Sequence, residues 1–183
     1  MISFVVIDGR FDGEANRPAR ENEVRLNVKS SGHDFLGRSN APGSLSIWVH
    51  HLNSLAFHKG SFTLTEDKKD GCHTVIEGDA ITVGGGSAMY DVYKFADQHG
   101  TAVVGGGAKS VSVGGYITGG GHSILSPTYS LAADNVLEIE VVTPDGKILV
   151  ANEKQNKDLF WALRGVRRTP PSPLSPLLSG HIS

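Results

Sequence analysis

Hydrophobic and polar positions change period several times along this chain, and each change marks an element. Ile2 to Ile7 (ISFVVI) is a short apolar run that predicts a buried strand, stopped by Asp8-Gly9. Residues 14–23 are polar and hold one helical turn after Pro18. Val24 to Val28 alternates as a strand and runs into a loop, KSSGHDFLGRSN. SLSIWV (44–49) reads as a strand, HHLNSLAF as a short helix or turn, and 59–72 as a surface hairpin with a charged tip. His73 to Val83 predicts a strand pair, HTVIEG and AITVG, split at Gly78-Asp79. Beyond Gly84-Gly85-Gly86 the apolar residues Met89, Val92, Tyr93 and Ala96 take helical spacing, and Gly100 closes that helix as a C′ glycine. Ala102 to Val104 is a short strand. VLEIEVVT (136–143) alternates over a longer strand, Pro144-Asp145-Gly146 turns it, and KILVA returns. Leu159, Phe160 and Leu163 form one side of a helix over 155–164, with Asp158 and Arg164 placed to suit its dipole.

Periodicity fails between Gly105 and Gly121, where eight of seventeen residues are glycine. Helices and ordinary strands do not favour that density, because glycine costs backbone entropy and packs no side chain. The glycines form three groups, Gly105-Gly106-Gly107, Gly114-Gly115 and Gly119-Gly120-Gly121. Such groups occur where backbone must approach something closely or take positive φ, and their exposed N–H groups form anion sites suited to a pyrophosphate.

Composition narrows the partners. The net charge of −2, with no basic block, argues against nucleic acid. Cys72 is the only cysteine, so no internal disulfide or cysteine-based zinc cluster is possible. No run of about 18 apolar residues suggests a membrane span. The first residues lack a basic segment and do not resemble a signal peptide. The last eighteen residues hold four of the eight prolines and read as a disordered tail.

Two loops carry candidate chemistry: residues 30–39 and the glycine stretch. His33, after Gly32, is either an ordinary surface histidine or a ring positioned by its backbone. Gly84-Gly85-Gly86 fails as a dinucleotide fingerprint because Met89 stands where the third glycine belongs. His50, His51 and His58 have no acidic or cysteine partner at metal-ligand spacing. No G-x-S-x-G elbow is present.

Three segments in order, SSGHDFLGRSNAPGSLSIW, VVGGGAKSVSVGGYITGGGHSILSPTYSLAADNVLEIEVVTPDG and KDLFWALRG, resemble the PCMH-type FAD-binding domain of the vanillyl-alcohol oxidase / p-cresol methylhydroxylase family. Within it they are similar to the berberine-bridge-enzyme-like and 6-hydroxy-D-nicotine-oxidase-like fungal oxidoreductases, over roughly residues 18–165. The resemblance implies an α+β fold, two small sheets flanked by helices with FAD between them. It implies that His33 bonds covalently to the flavin 8α carbon, raising the flavin's reduction potential. Ser31, Gly32, Asp34, Gly37, Gly106, Gly107, Ser110, Gly114 and Gly115 are implied to bind the cofactor. Gly119, Gly120, Gly121 and His122 are implied to lie toward the flavin, with Leu131, Asp134 and Val141 shaping the same pocket. Many relatives have a second, cysteine tether; Ala108 holds that place here.

The same resemblance implies oxidation of a small alcohol, amine or sugar-type substrate, with O₂ accepting electrons, in a family whose members are often secreted. After Gly165 the family pattern gives way to VRRTPPSPLSP, and MISFVVIDGR stands where the family has a first βα unit. The expectation is a chain truncated at both ends: residues 1–17 atypical, 18–165 a partial FAD-binding domain, 166–183 a tail, with the substrate domain and its catalytic base missing. Two readings follow. One is a flavoprotein oxidoreductase domain tethering FAD at His33. The other is a non-catalytic remnant that binds FAD weakly or not at all.

Overall fold

The computed structural model describes residues 3–7, 17–66 and 73–165. The expected Asp8-Gly9 turn, the 67–72 hairpin tip with Cys72, and the proline-rich tail lie outside them. The strands are β1 (Ser3–Ile7), β2 (Arg25–Lys29), β3 (Ser44–Trp48), β4 (Leu55–His58), β5 (Ser61–Thr63), β6 (Val75–Glu77), β7 (Ala80–Gly84), β8 (Val136–Val142) and β9 (Ile148–Asn152). The helices are α1 (Arg17–Glu21), α2 (Met89–Gln98), α3 (Val113–Thr118), α4 (Ser126–Tyr129) and α5 (Lys157–Leu163).

One sheet has five strands in the order β4-β7-β1-β8-β9. β1 lies parallel to both β7 and β8, while β4 and β9 close the edges antiparallel. The α+β class stands as expected. Beyond the five-stranded sheet, the described residues form two two-stranded sheets, β2-β3 parallel and β5-β6 antiparallel. β7 is a nearly continuous buried run, as a strand covered on both faces requires. The connection from β7 to β8 holds α2, the glycine stretch, α3 and α4; Gly114 lies beside Gly85 just past β7, and Gly120 and Gly121 bond the residues that lead into β8. Ile81 and Val83 of β7, Met89, Val92 and Ala96 of α2, Val113 and Ile117 of α3, and Phe160 and Leu163 of α5 share one core. Each of these buried side chains other than Ala96 contributes about 1.5–3 kcal/mol.

Four local expectations are corrected. Of the short helix or turn expected for HHLNSLAF, the turn stands, at Val49–His51, but the rest of the segment is the edge strand β4. β6 and β7 do not pair with each other; β6 returns to β5, and Gly78 N–H to Gly60 O (2.8 Å) with Gly60 N–H to Asp79 Oδ1 (2.8 Å) close that hairpin at its base. Ala102 to Val104 is extended but joins no sheet; Val103 and Val104 pack into the core instead. Gly114 and Gly115 lie inside α3, in spite of glycine's low helix propensity. The reason is contact. A Cβ at Gly114 would stand 2.9 Å from Gly85 O, whose carbonyl also accepts the Gly114 N–H at 3.0 Å.

A buried polar node ties the sheet to the β5 hairpin. The Glu138 carboxylate on β8 accepts from Thr65 N–H (2.8 Å), the Thr65 hydroxyl (2.9 Å) and Asn152 Nδ2 (2.8 Å). Asn152 is fully buried and also donates to Thr65 O (2.8 Å), while its Oδ1 accepts from Lys154 and Gln155 N–H.

Candidate functional site: a glycine cradle facing a histidine loop

The first loop leaves β2 and returns to β3, and one buried side chain holds it closed. Asn27 Nδ2 donates to Ser39 O at 2.6 Å, and its Oδ1 accepts from the Ser44 hydroxyl at 2.6 Å. Trp48 Nε1 donates to Ser30 O at 2.9 Å, fixing the loop's entry. Gly32 takes φ +80°, and the Lys29 side chain folds over it: a methyl there would come 2.8 Å from Cε and 3.4 Å from Nζ. Asp34 turns inward to its own loop. It accepts from Arg38 N–H (2.8 Å) and Nε (3.0 Å) and forms an ion pair with Arg38, which holds that guanidinium even more firmly protonated. Gly37, at φ +75°, completes the same turn through Gly37 N–H to Asp34 O (3.1 Å). Asp34 and Gly37 therefore shape the loop around His33.

The cradle is pinned by two tyrosines. Tyr93 on α2 donates to Gly106 O at 2.5 Å, and Tyr116 on α3 donates to His122 O at 2.8 Å. The Tyr116 ring lies between Gly106 and Gly121, each of which would put a Cβ 3.1 Å from it. Gly120 and Gly121 both have positive φ, and their carbonyls accept from Ala133 (3.2 Å) and Ala132 (2.9 Å) N–H. That brings Leu131 and Asp134 to the third glycine group; Asp134 Oδ2 in turn accepts from Leu131 N–H at 3.0 Å. Asp134 also borders a cavity of about 190 Å³ with Trp161, Arg164 and Gly165. Val141 is not brought to this junction: it lies on β8 five positions past Val136, about 16 Å along the strand.

The two loops meet. His33 Nε2 lies 2.9 Å from Ser110 Oγ, across 77 positions of sequence. Beside it, Ser112 N–H donates to Ser31 Oγ at 3.0 Å. Gly115 faces Ser30, whose hydroxyl would lie 3.9 Å from an added Cβ. Ser31, Gly32, His33, Ser110, Gly114 and Gly115 thus form one junction, with Gly106 and Gly107 just before it in the chain. Ala108 is exposed in this loop and its carbonyl accepts from Val111 N–H at 3.3 Å. Asn27, Lys29, Tyr93, Tyr116 and Ser112 escape a reading by sequence alone. An asparagine inside a strand was the clearest available signal, since strands disfavour it.

Desolvation sets the tyrosines' chemistry. Burial pushes the Tyr116 phenol up to about 12, with the neighbouring Tyr93 adding to the shift, and burial raises Tyr93 too. A phenol whose pKa is raised by folding stabilises fully below its unfolded pKa, about 10, and loses that contribution as pH climbs through the folded value. Thermal midpoints measured from pH 9 to 12 are therefore expected to fall across the upper half of that range. Tyr116→Phe flattens the fall while costing about 1 kcal/mol at neutral pH for the lost hydrogen bond.

His50 and His51 are exposed, with His50 stacked on Trp48 at 4.9 Å, and His58 bonds Thr82 Oγ1 at 2.7 Å. Among the described residues no three His, Cys, Asp or Glu gather as a metal site, and no helix is long and apolar enough to cross a membrane.

Residues 14–152 match the FAD binding domain family. The chain is 46% identical over 152 residues to the FAD-linked oxidoreductase OXR2 of Pyricularia oryzae, covering 82% of this chain and 25% of that protein. Its fold is similar to that of the VAO-type flavoprotein MtVAO615 from Myceliophthora thermophila C1, with TM-score 0.74 and 44% identity, over 84% of this chain and 26% of that one. It is also similar to 6-hydroxy-D-nicotine oxidase from Arthrobacter nicotinovorans, with TM-score 0.70 and 27% identity, over 84% of this chain and 30% of that one. The chain spans about a quarter of the length of the curated relatives it matches. With its glycine cradle, its histidine loop and this agreement in sequence and fold, the chain belongs to the FAD binding domain family, and its cofactor is FAD.

Proposed function

We propose that this domain holds FAD across the junction of its two loops and carries it covalently on His33, as the cofactor part of an oxidoreductase. The observation that carries the reading is the 2.9 Å contact between His33 and Ser110, which sets a candidate nucleophile on the rim of the glycine cradle.

The residues fit the cofactor on a test internal to the fold. Most glycines here have a protein reason: Gly105 and Gly106 meet tyrosine side chains, Gly114 meets backbone, and Gly120 has positive φ. Gly107 and Gly115 have none. Neither takes positive φ, an added Cβ at Gly107 would meet nothing within 4 Å, and at Gly115 only one hydroxyl 3.9 Å away. Both open to the surface beside His33's loop. Side chains there would fill the cradle and keep a ligand's backbone from close approach. The N–H groups of Gly107, Ala108, Lys109, Ser110 and Gly115 have no acceptor among the described residues, so they suit an anion. Lys29 over Gly32 adds a cation beside the loop.

Gly32, Gly106, Gly107, Ser110, Gly114 and Gly115 would hold the pyrophosphate and ribityl chain, with Ser31 ordering Ser110's segment. Gly119 to His122, with Leu131 and Asp134, would border the ring system. Bound there, FAD supplies two-electron oxidation; the protein binds it, orients it and presents the imidazole. The substrate class is a small alcohol, amine or sugar-type molecule, with O₂ as acceptor. The test is direct. The chain expressed with FAD is expected to stay yellow after acid denaturation, and His33→Ala to release its flavin while still binding it reversibly. A colourless denatured wild-type band beside a coloured relative would remove the tether; no shift of the thermal midpoint with FAD would remove the binding, favouring a remnant that binds FAD weakly or not at all.

A further inference from the structure

We propose that the space between β7 and β8 is a strand-binding slot of this domain, filled here by an extended apolar segment, β1, that lies outside the residues matching the family. The slot does not depend on how FAD is held at His33.

β1 stands at the middle of the five-stranded sheet, hydrogen-bonded on both sides. It pairs parallel with β7, from Ser3 opposite Ala80 to Ile7 opposite Gly84. It also pairs parallel with β8, from Phe4 opposite Val136 to Ile7 opposite Glu140. The family match begins at residue 14, so it includes both walls of the slot and leaves out the strand between them. With the slot empty, the walls would stand two strand spacings apart, roughly 9–10 Å, too far to pair with each other. Each would carry a row of N–H and C=O groups without partners. β7 and the first half of β8 are largely buried, where such groups are costly. The matching residues thus build a place for a strand without supplying one.

The slot also specifies the chemistry of its occupant. The walls run in the same direction, so one extended segment meets both in the same sense, and main-chain pairing supplies the affinity. An interior position excludes charge and favours β-branched residues. SFVVI has no charged residue, and Val5, Val6 and Ile7 are β-branched.

The walls carry the cradle as well. Gly85, next after β7, accepts the Gly114 N–H, while Ala132 and Ala133, ahead of β8, donate to Gly121 and Gly120. A strand in the slot joins these two supports, so filling it orders the cradle and raises FAD affinity.

Full-length Val6→Pro and Ser3→Pro chains test this beside wild type. Val6 pairs with Val83 on one side and Ile139 on the other, so proline there breaks the ladder at its middle. Ser3 begins the strand, where proline is tolerated. Val6→Pro is expected to lose roughly 10 °C in thermal midpoint and Ser3→Pro no more than roughly 2 °C. A synthetic peptide of residues 1–8, in excess, is expected to restore the Val6→Pro midpoint and the hydrogen-exchange protection of β7 and β8 amides. The same peptide carrying Val6→Pro is expected to restore neither. If Val6→Pro is unfolded alone, refolding on addition of the peptide is the readout. Flavin fluorescence reads whether FAD affinity falls in Val6→Pro and returns with the peptide. Two variants that melt together, a peptide that rescues nothing, or protection gained away from β7 and β8 overturns the slot. A restored midpoint without restored FAD affinity overturns its link to the cradle. Wild-type chain that binds no FAD overturns the cofactor reading instead, and the midpoints and exchange data still decide the slot.

Discussion

Gly86→Ala lowers the thermal midpoint by roughly 10–20 °C, the shift that about 4–5 kcal/mol produces in a domain of this size. The added Cβ would stand 2.0 Å from Val49 O and 2.9 Å from its carbonyl carbon, with His50 O at 3.0 Å. All three are backbone atoms of the 3-10 turn that feeds β4, so no rotamer change relieves them. Moving the turn strains Gly86 N–H to Leu52 O (2.9 Å) and Gly84 N–H to Ser54 O (2.8 Å), which join the turn to the end of β7. Overpacking alone costs about 1–3 kcal/mol, and each weakened buried hydrogen bond adds about 1. Gly107→Ala is the control. It meets nothing within 4 Å and needs no positive φ, so its stability stays within about 0.5 kcal/mol of wild type. Its expected defect is in FAD affinity. Equal midpoints for the two variants would refute the separation of packing glycines from ligand glycines.

Asn152→Ala costs about 2–3 kcal/mol, read by urea unfolding, because the truncation takes a donor from the buried Glu138 carboxylate and breaks the other bonds of a fully buried side chain. It removes a donor from the Glu138 carboxylate and from Thr65 O, and the acceptor of the Lys154 and Gln155 N–H groups. Among the described residues no cation pairs with Glu138, so neutral donors alone compensate that carboxylate. Asn152→Asp keeps the shape and replaces the donor with a second acceptor, setting oxygen against oxygen at a 2.8 Å spacing. It is expected to cost at least as much at neutral pH. A loss below about 1 kcal/mol for either variant would show the node to be open to water.

Elements whose signals are local were legible in the sequence. The Pro144-Asp145-Gly146 turn marked the β8-β9 hairpin, and Gly100, at φ +65°, closed α2 as expected. What escaped was decided at a distance. β4 is four residues long and exists through its pairing with β7, which no local period announces. The pairing of β6 with β5 skips the nearer β7 because Gly60 and Asp79 close a different hairpin. α3 contradicts helix propensity because two backbones need to touch at Gly85. The site divides the same way. His33 and the glycine groups stood out by residue type and by resemblance. That His33 meets Ser110, and that Tyr116 wedges between two glycine groups, are facts of tertiary structure.

The two phenols that grip Gly106 and His122 bear on how fast a guest can be captured. A segment this rich in glycine would normally wander among many backbone states, and a visitor would have to freeze it on arrival. Here the freezing is done during folding, by bonds from α2 and α3. Entropy that would otherwise be subtracted from affinity has already been spent. Capture should then resemble closure onto a finished mould, with single-exponential association kinetics.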